Sequence, residues 1–495
     1  MPEIDLSGYS RVWLIENLAA PGHVPQYQGL MKIGDPSWGR GDVTRVEVPS
    51  DVAYDEFEQV AEVKGETDNP SFSLMGRYPM ELSTMLNLTR RGCPLDVQAH
   101  LGKCRDPRDF NAGWEKVAIF ERARITNYSI ENFGALGSDE RAPTNETADL
   151  SSRDWYEVLR LTFQEQGGAV VTREIISIDV CDRVQCGDCG DVSDGCQRVL
   201  ATQVASGATP GTAPAVVYSS DGGATWAGVN ITTLLGNENP SDSECVGGNF
   251  IVISNTDESL HYAKITDILT GTPTWNQVTH GFVFGQGGNA IVSADVDHTW
   301  IAADSGYIYF TSDPTQGVSV QEAGNLTAQT LNDVDALDEN IVVAVGNSNV
   351  VLATDNGGIT WRLITGPVVG QALYSVAIKD QYTWLVGVGN GTLWYTDDEG
   401  VTWTQINLPI TGARVDDIKF STRSVGYLSL RVTGSYARIL RTINGGESWY
   451  VLPEGPGTIP NNTRLNQVAV CNDANVVFGG GLASGGTDGI IVKAA

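Results

Sequence analysis

The chain has 495 residues, 41% of them hydrophobic and 18% charged, and its 31 Lys and Arg against 60 Asp and Glu give a formal net charge of −29. That length calls for two or three domains, and a surface this acidic argues against binding to nucleic acid or to anionic membranes. No apolar run approaches the roughly 18 residues of a membrane span, and the opening Met1-Pro-Glu-Ile-Asp-Leu-Ser7 lacks a basic stretch followed by an apolar one, so synthesis in a cytosol without Sec-type export is expected.

Residues 1–175 read as one β domain. Strands are expected over 11–15, 43–48, 57–63, 72–78, 95–101, 116–125 and 155–164. Alternation is visible in Val117-Ala-Ile-Phe-Glu-Arg-Ala-Arg-Ile-Thr126 and in Trp155-Tyr-Glu-Val-Leu-Arg-Leu-Thr-Phe-Gln164. One short helix is expected over 83–91, where Ser83 is a suitable N-cap, Gly92 a stop, and Pro94 forbids continuation. Polar connections lie at 34–42 and 137–152, the second an extended loop or hairpin arm. The pattern implies a β-sandwich or barrel with one flanking helix.

Three stretches of this region carry a resemblance. They are Arg91-Gly-Cys-Pro-Leu-Asp-Val-Gln-Ala-His-Leu-Gly-Lys-Cys-Arg-Asp-Pro-Arg-Asp-Phe-Asn-Ala-Gly-Trp-Glu-Lys116, Ala123-Arg-Ile-Thr-Asn-Tyr-Ser129 and Asp154-Trp-Tyr-Glu-Val158. With the strand order, they make residues 10–174 resemble the major tail tube proteins of long-tailed phages. The resemblance implies a virion structural protein, assembled in the host cytoplasm into homo-hexameric rings stacked as a tube. Its partners would then be itself and other virion tail proteins, with DNA passing through the lumen without specific binding and no membrane insertion. An acidic lumen suits that passage. The alternative is an ordinary β-sandwich that docks a monomeric propeller scaffold or receptor-binding protein.

Residues 176–198 form a cysteine-rich junction. Cys181, Cys186, Cys189 and Cys196 fall within sixteen residues, and Cys186-Gly-Asp-Cys189 has a spacing that lets two thiolates meet one tetrahedral zinc ion. A structural zinc and two disulfides are equal alternatives here, and no other cofactor is expected. Cys93 and Cys104 bracket a segment that could pair as a hairpin, while Cys245 and Cys471 read as buried strand residues. The five histidines, His23, His100, His261, His280 and His298, show no ligand spacing.

Residues 199–495 contain internal repeats. Ser219-Ser-Asp-Gly-Gly-Ala-Thr-Trp226, Thr354-Asp-Asn-Gly-Gly-Ile-Thr-Trp361, Thr396-Asp-Asp-Glu-Gly-Val-Thr-Trp403 and Thr442-Ile-Asn-Gly-Gly-Glu-Ser-Trp449 align without gaps. Asp221, Asn356, Asp398 and Asn444 can bond backbone N–H groups inside a turn. Gly223, Gly358, Gly400 and Gly446 supply positive φ, and Trp226, Trp361, Trp403 and Trp449 drop between sheets. The pattern resembles the Asp-box, or BNR repeat, of sialidase-like propellers. Degenerate copies are expected at Thr274-Trp275 and at Thr311-Ser-Asp-Pro-Thr-Gln-Gly-Val-Ser-Val320. One unit reads as strands over 373–379, 383–388, 392–396 and 402–406. A partial unit at 465–493 needs a fourth strand, expected from 175–180 or 198–204, giving a six- or seven-bladed β-propeller, seven favoured.

The whole chain is therefore expected to be all-β, and its propeller to be no enzyme. Sialidase chemistry needs an arginine trio, a Tyr nucleophile with a Glu partner, and an Asp acid/base. The family's Arg-Ile-Pro motif is absent, and Arg362, Arg414, Arg423, Arg431, Arg438, Arg441 and Arg464 fall mostly in the last third. The pairs Asp416-Asp417 and Asp397-Asp398 read as solvated turn residues. Gly-rich 284–290 and 478–483 lack the Lys-Ser/Thr of a phosphate loop. The propeller also resembles the photosystem-assembly type, a binding scaffold, and host surface glycan is its expected ligand.

Overall fold

The computed structural model describes residues 9–16, 26–33, 71–76, 95–101, 114, 116–131, 145–152, 154–166, 170–181, 196–204, 216–229, 240–256, 258–431, 438–454, 463–471, 474–483 and 489–494. The chain divides into two compact units between Arg160 and Leu161.

The first unit holds seven strands, β1 (Tyr9–Glu16), β2 (Gln26–Ile33), β3 (Ser71–Gly76), β4 (Leu95–Leu101), β5 (Lys116–Glu131), β6 (Asn145–Ser151) and β7 (Asp154–Leu159). Their antiparallel pairing runs β1–β2–β3–β6–β5–β4 and returns from β4 to β1. The strands thus form a closed ring, the barrel of the two expected forms. β7 continues β6 along β5 in one register, Arg124 facing Ser151 and Glu121 facing Asp154. Between the halves of β5, Arg122 takes φ 49° at a bulge, and the buried Asp96 accepts its N–H at 2.6 Å. Val97, Ala99, Val117, Ile119, Ala123, Leu150 and Val158 are buried.

Expectations change at three places: β2 is an additional strand, the expected strand 155–164 divides into β7 and Phe163–Gln166 of the second unit, and the polar arm contains β6. Residues 145–151 are a strand where a polar arm was expected. Only Leu150 in it is strongly apolar, and it is the pairing on both edges, with β3 and β5, that makes the strand. β2 gave no sequence signal because its apolar residues do not alternate. The expected strands 43–48 and 57–63 and the helix 83–91 lie outside the described residues.

The second unit consists of seven four-stranded antiparallel sheets. Blade 1 comprises Ile175–Val180, Val199–Gln203, Val216–Ser219 and Ala227–Val229. Blade 2 comprises Asp242–Val246, Asn249–Ser254, Ser259–Lys264 and Asn276–Val278, and blade 3 Gly288–Asp295, His298–Ala303, Tyr307–Thr311 and Ser319–Ala323. Blade 4 comprises Leu331–Ala336, Val342–Gly346, Val350–Thr354 and Arg362–Thr365, and blade 5 Leu373–Ile378, Trp384–Val388, Leu393–Thr396 and Thr404–Ile406. Blade 6 is Arg414–Phe420, Gly426–Arg431, Arg438–Thr442 and Tyr450–Val451. Blade 7 is Arg464–Val470, Val477–Leu482 and Gly489–Ala494, completed by β8 (Phe163–Gln166). The first strands of successive blades lie side by side and close into a circle. Middle strands are buried on both faces, as in Val342–Gly346 and Val350–Thr354, because each blade is sandwiched between two others.

The closing strand is therefore not 175–180 or 198–204. Those segments are the two inner strands of blade 1, and Phe163–Gln166 closes the ring instead, Ala494 facing Phe163. The boundary expected at 175, and the junction at 176–198, accordingly fall within the first blade. Blade 2 keeps only Thr274-Trp275 of its Asp-box because helix α1 (Ile265–Leu269) occupies the turn, burying Ile265 and Ile268 against Phe250 and Val252.

Candidate functional site

The four complete Asp-boxes have one geometry. The leading hydroxyl accepts the N–H of the conserved glycine, at 2.8 Å for Gly223, 2.9 Å for Gly358, 2.8 Å for Gly400 and 2.9 Å for Gly446. The Asp or Asn accepts the N–H of the following Ser or Thr, at 2.8–3.1 Å. Hydrogen bonds from Thr225 hold the Asp221 carboxyl down at about 2. At Gly223 φ is +88°, and an added Cβ would lie 2.8 Å from the Phe478 ring. Of the four tryptophans only Trp449 is buried; Trp361 and Trp403 lie half-buried against their clusters.

Sequence reasoning missed a second role for these turns. The carbonyl just before each conserved glycine accepts a hydrogen bond from a side chain of the preceding blade. Lys493 reaches Gly222, Gln321 reaches Gly357, Arg362 reaches Glu399 and Lys379 reaches Gly445. The Asp-boxes are thus interblade clamps, and their polar groups are already engaged.

Chemistry-bearing residues gather instead along the inner strands. A bulge precedes an equivalent position in most blades, occupied by Ser177, Asp242, Ala290, Asp333, Ser375, Asp417 and Gln467. Side chains there take a backbone N–H from the next blade. Asp242 accepts from Ile291, Asp333 from Val376, Asp417 from Val468 and Gln467 from Ile178, at 2.8–2.9 Å. Two residues further along stand Asp179, Glu244, Asp335 and Lys419. Burial pushes up the carboxyls of Asp179, Asp242, Glu244, Asp333 and Asp335, with neighbouring carboxylates adding to the effect for Asp179. Lys419 is drawn toward its charged form by Asp417, Asp335, Asp333 and Glu244, in spite of its burial. The Asp416-Asp417 pair thus lies on a buried strand, whereas Asp397 and Asp398 do sit in a turn.

Where the inner strands begin, the sign of charge reverses. Arg414 and Arg431 both pair with Asp416, Arg431 also donates to Asn466 at 2.8 Å, and Arg464 pairs with Glu174 at 2.5 Å. Arg414 lies over the Tyr374 ring, 4.0 Å from its centroid. Three arginines scattered in sequence are thereby brought together, each with a carboxylate partner.

Asp417 carries a consequence for pH. Burial raises its carboxyl to about 6, against the opposing pull of Lys419. Between about pH 4 and 6 the folded chain holds a proton that the unfolded chain has released, so stability falls as pH rises through that window, by on the order of 2–3 kcal/mol. The thermal midpoint is expected to rise when pH is lowered from 7 to 5, and Asp417→Asn to flatten that slope. Scanning calorimetry of both proteins checks this, and an unchanged slope in the variant counts against it.

The two described cysteines of the expected junction, Cys181 and Cys196, do not pair with each other. Cys181 is disulfide-bonded to Cys245, joining blades 1 and 2, and Cys196 to Cys471, joining blades 1 and 7. Their Cα separations are 5.6 and 5.7 Å. A shared zinc site for the four is excluded, since two have partners from other blades; Cys186 and Cys189 lie outside the described residues. At the same seam a polar cleft of about 260 Å³ is lined by Thr162, Gln164, Gln166, Asp221 and Lys493.

No protein-family model and no curated protein matches the chain. Solved structures do. YCF48 from Cyanidioschyzon merolae is 14% identical with a TM-score of 0.50, covering 67% of this chain and 98% of its own. A streptogramin B lyase is 11% identical with a TM-score of 0.51, covering 68% and 97%. A catalytically inactive virginiamycin B lyase from Staphylococcus aureus with quinupristin is 12% identical at a TM-score of 0.50, covering 68% and 99%. Such identities speak to fold alone. The chain is an all-β protein whose larger unit is a seven-bladed β-propeller.

Proposed function

We propose that the protein is a virion structural subunit: an assembling β-barrel, of the tail tube type, that carries a non-catalytic propeller as an outward decoration. The observation that carries the non-catalytic part is the engagement of all four Asp-boxes in turns and interblade clamps, which leaves them no group for a substrate. The tail tube part rests on the resemblance of residues 10–174 and on the ring of strands with its long β5–β6–β7 hairpin. Host glycan is the ligand proposed for the propeller, with the cleft whose wall carries Thr162, Gln164 and Gln166 as a polar place to hold sugar hydroxyls.

Electron microscopy of the purified full chain tests this reading. Six-fold rings or stacked tubes are expected. Monodisperse monomers would overturn the assembling part and favour a monomeric propeller scaffold, for which the propeller's self-contained closure already speaks. A hydrolase reading has one feature in its favour, the convergence of Arg414, Arg431 and Arg464 beside Tyr374. Turnover of a fluorogenic sialoside, abolished by Arg431→Ala, would establish it.

A further inference from the structure

Hairpins between the first and second strands of blades 3, 4 and 5 share a device. Asp295, Asp338 and Asp380 each turn a carboxylate oxygen back onto the N–H two residues on, at Asp297, Asn340 and Tyr382, at 2.8–2.9 Å. That is a turn-stabilising role. Two of the hairpins then depart from the pattern. The position held by Ile341 and Thr383 in blades 4 and 5 is His298 in blade 3, and the residue after the aspartate, Val296 and Gln381 in blades 3 and 5, is Glu339 in blade 4. His298 bonds the Asp295 of its own hairpin, and Glu339 comes close to that pair.

The two departures meet at a single seam. One ligand atom from each of Asp295, His298 and Glu339 lies within 4.8 Å of the other two. His298 Nδ1 is hydrogen-bonded to the two oxygens of Asp295 at 2.8 and 3.0 Å, close to the roughly 3 Å edge that two adjacent ligands make around an ion with bonds of about 2.0–2.2 Å, so an ion would replace the shared proton, which is released to solvent. The imidazole is fixed by stacking on Trp300 at an interplanar angle of 22° and by the ring of Phe310. The Glu339 loop is fixed too, through the Asp338 carboxylate and through Gly357 N–H donating to the Asn340 carbonyl at 3.0 Å.

We propose that Asp295, His298 and Glu339 bind one divalent transition-metal ion of zinc type, which bridges blades 3 and 4. One imidazole nitrogen and two carboxylate oxygens suit such an ion, where an all-oxygen set would suit calcium or magnesium. Three protein ligands leave the remaining positions to water, on a solvent-facing hairpin edge, so the ion is a stapling element that also presents an exchangeable coordination position.

Calorimetric titration of the full, oxidised, EDTA-treated chain with zinc chloride tests the site. One ion per chain is expected, with affinity weakened at least about tenfold in His298→Ala and in the milder Glu339→Gln, and with calcium a poor substitute. Cobalt absorption supplies a second readout, in which nitrogen and oxygen ligation without a sulfur charge-transfer band is expected. Equal zinc affinity in the wild type and Glu339→Gln, no binding by the wild type, or a thiolate band would each overturn the assignment.

Discussion

A chain that begins at Leu161 is expected to fold as a closed propeller, and one that begins at Gly167 is expected to lose most of its stability. The difference is β8. Its backbone pairs with Gly489–Ala494, Phe163 N–H also donates to the Pro453 carbonyl at 3.1 Å, and the Phe163 ring is fully buried. Removing it opens the outer edge of blade 7 and empties an aromatic pocket. Phe163→Ala alone should cost about 3–5 kcal/mol. For a unit of this size that lowers the thermal midpoint by roughly 10 °C. Calorimetry of the two truncated chains and of the point variant decides the matter, and equal midpoints for the two truncations would show that β8 is dispensable.

Loss of the Cys196–Cys471 bond is the second large effect. It spans 275 residues of sequence and ties the first blade to the last. Cross-links over so long a loop restrict the unfolded chain strongly, and losing a native one typically costs about 2–5 kcal/mol. Cys471→Ala should therefore lower the midpoint by roughly 5–15 °C. Reductant should do the same to the wild type and shift Cys181→Ala/Cys471→Ala much less. If reductant leaves the wild-type midpoint unmoved, the bonds carry no stability.

The Asp-boxes were legible because their information is local: hydroxyl, carboxylate, glycine and tryptophan all act within eight residues. Four strands of blade 5 were legible for the same reason. The closing strand was not. Phe163-Gln-Glu-Gln166 is short and only its first residue is buried, and its partner is decided by the far end of the chain. Disulfide pairing was obscured in the same way, because Cys181 and Cys196 neighbour Cys186 and Cys189 in sequence but Cys245 and Cys471 in space. The inner-strand carboxylates did leave a signal, at Asp242 and Glu244, at Asp333 and Asp335, and at Asp417 with Lys419. Charges two apart inside an otherwise apolar strand mark one edge of it as lining the circle's centre. The Asp416-Asp417 pair, expected in a solvated turn, lies on the first strand of blade 6, where Asp416 pairs with Arg414 and Arg431 and Asp417 accepts the Val468 N–H.

The pairing of Phe163 with Ala494 also orders events in time. The closing strand is among the first parts of the propeller to leave the ribosome, and its partner is the last. Until then the unit carries an open edge at each end, and the contact that seals it is non-local, which is slow to form. A polypeptide whose synthesis stops within the final blade cannot close and keeps both edges exposed, the state most prone to aggregate or to be degraded. Closure therefore acts as a check on completeness. In an assembly with many identical subunits, that would keep unfinished copies out.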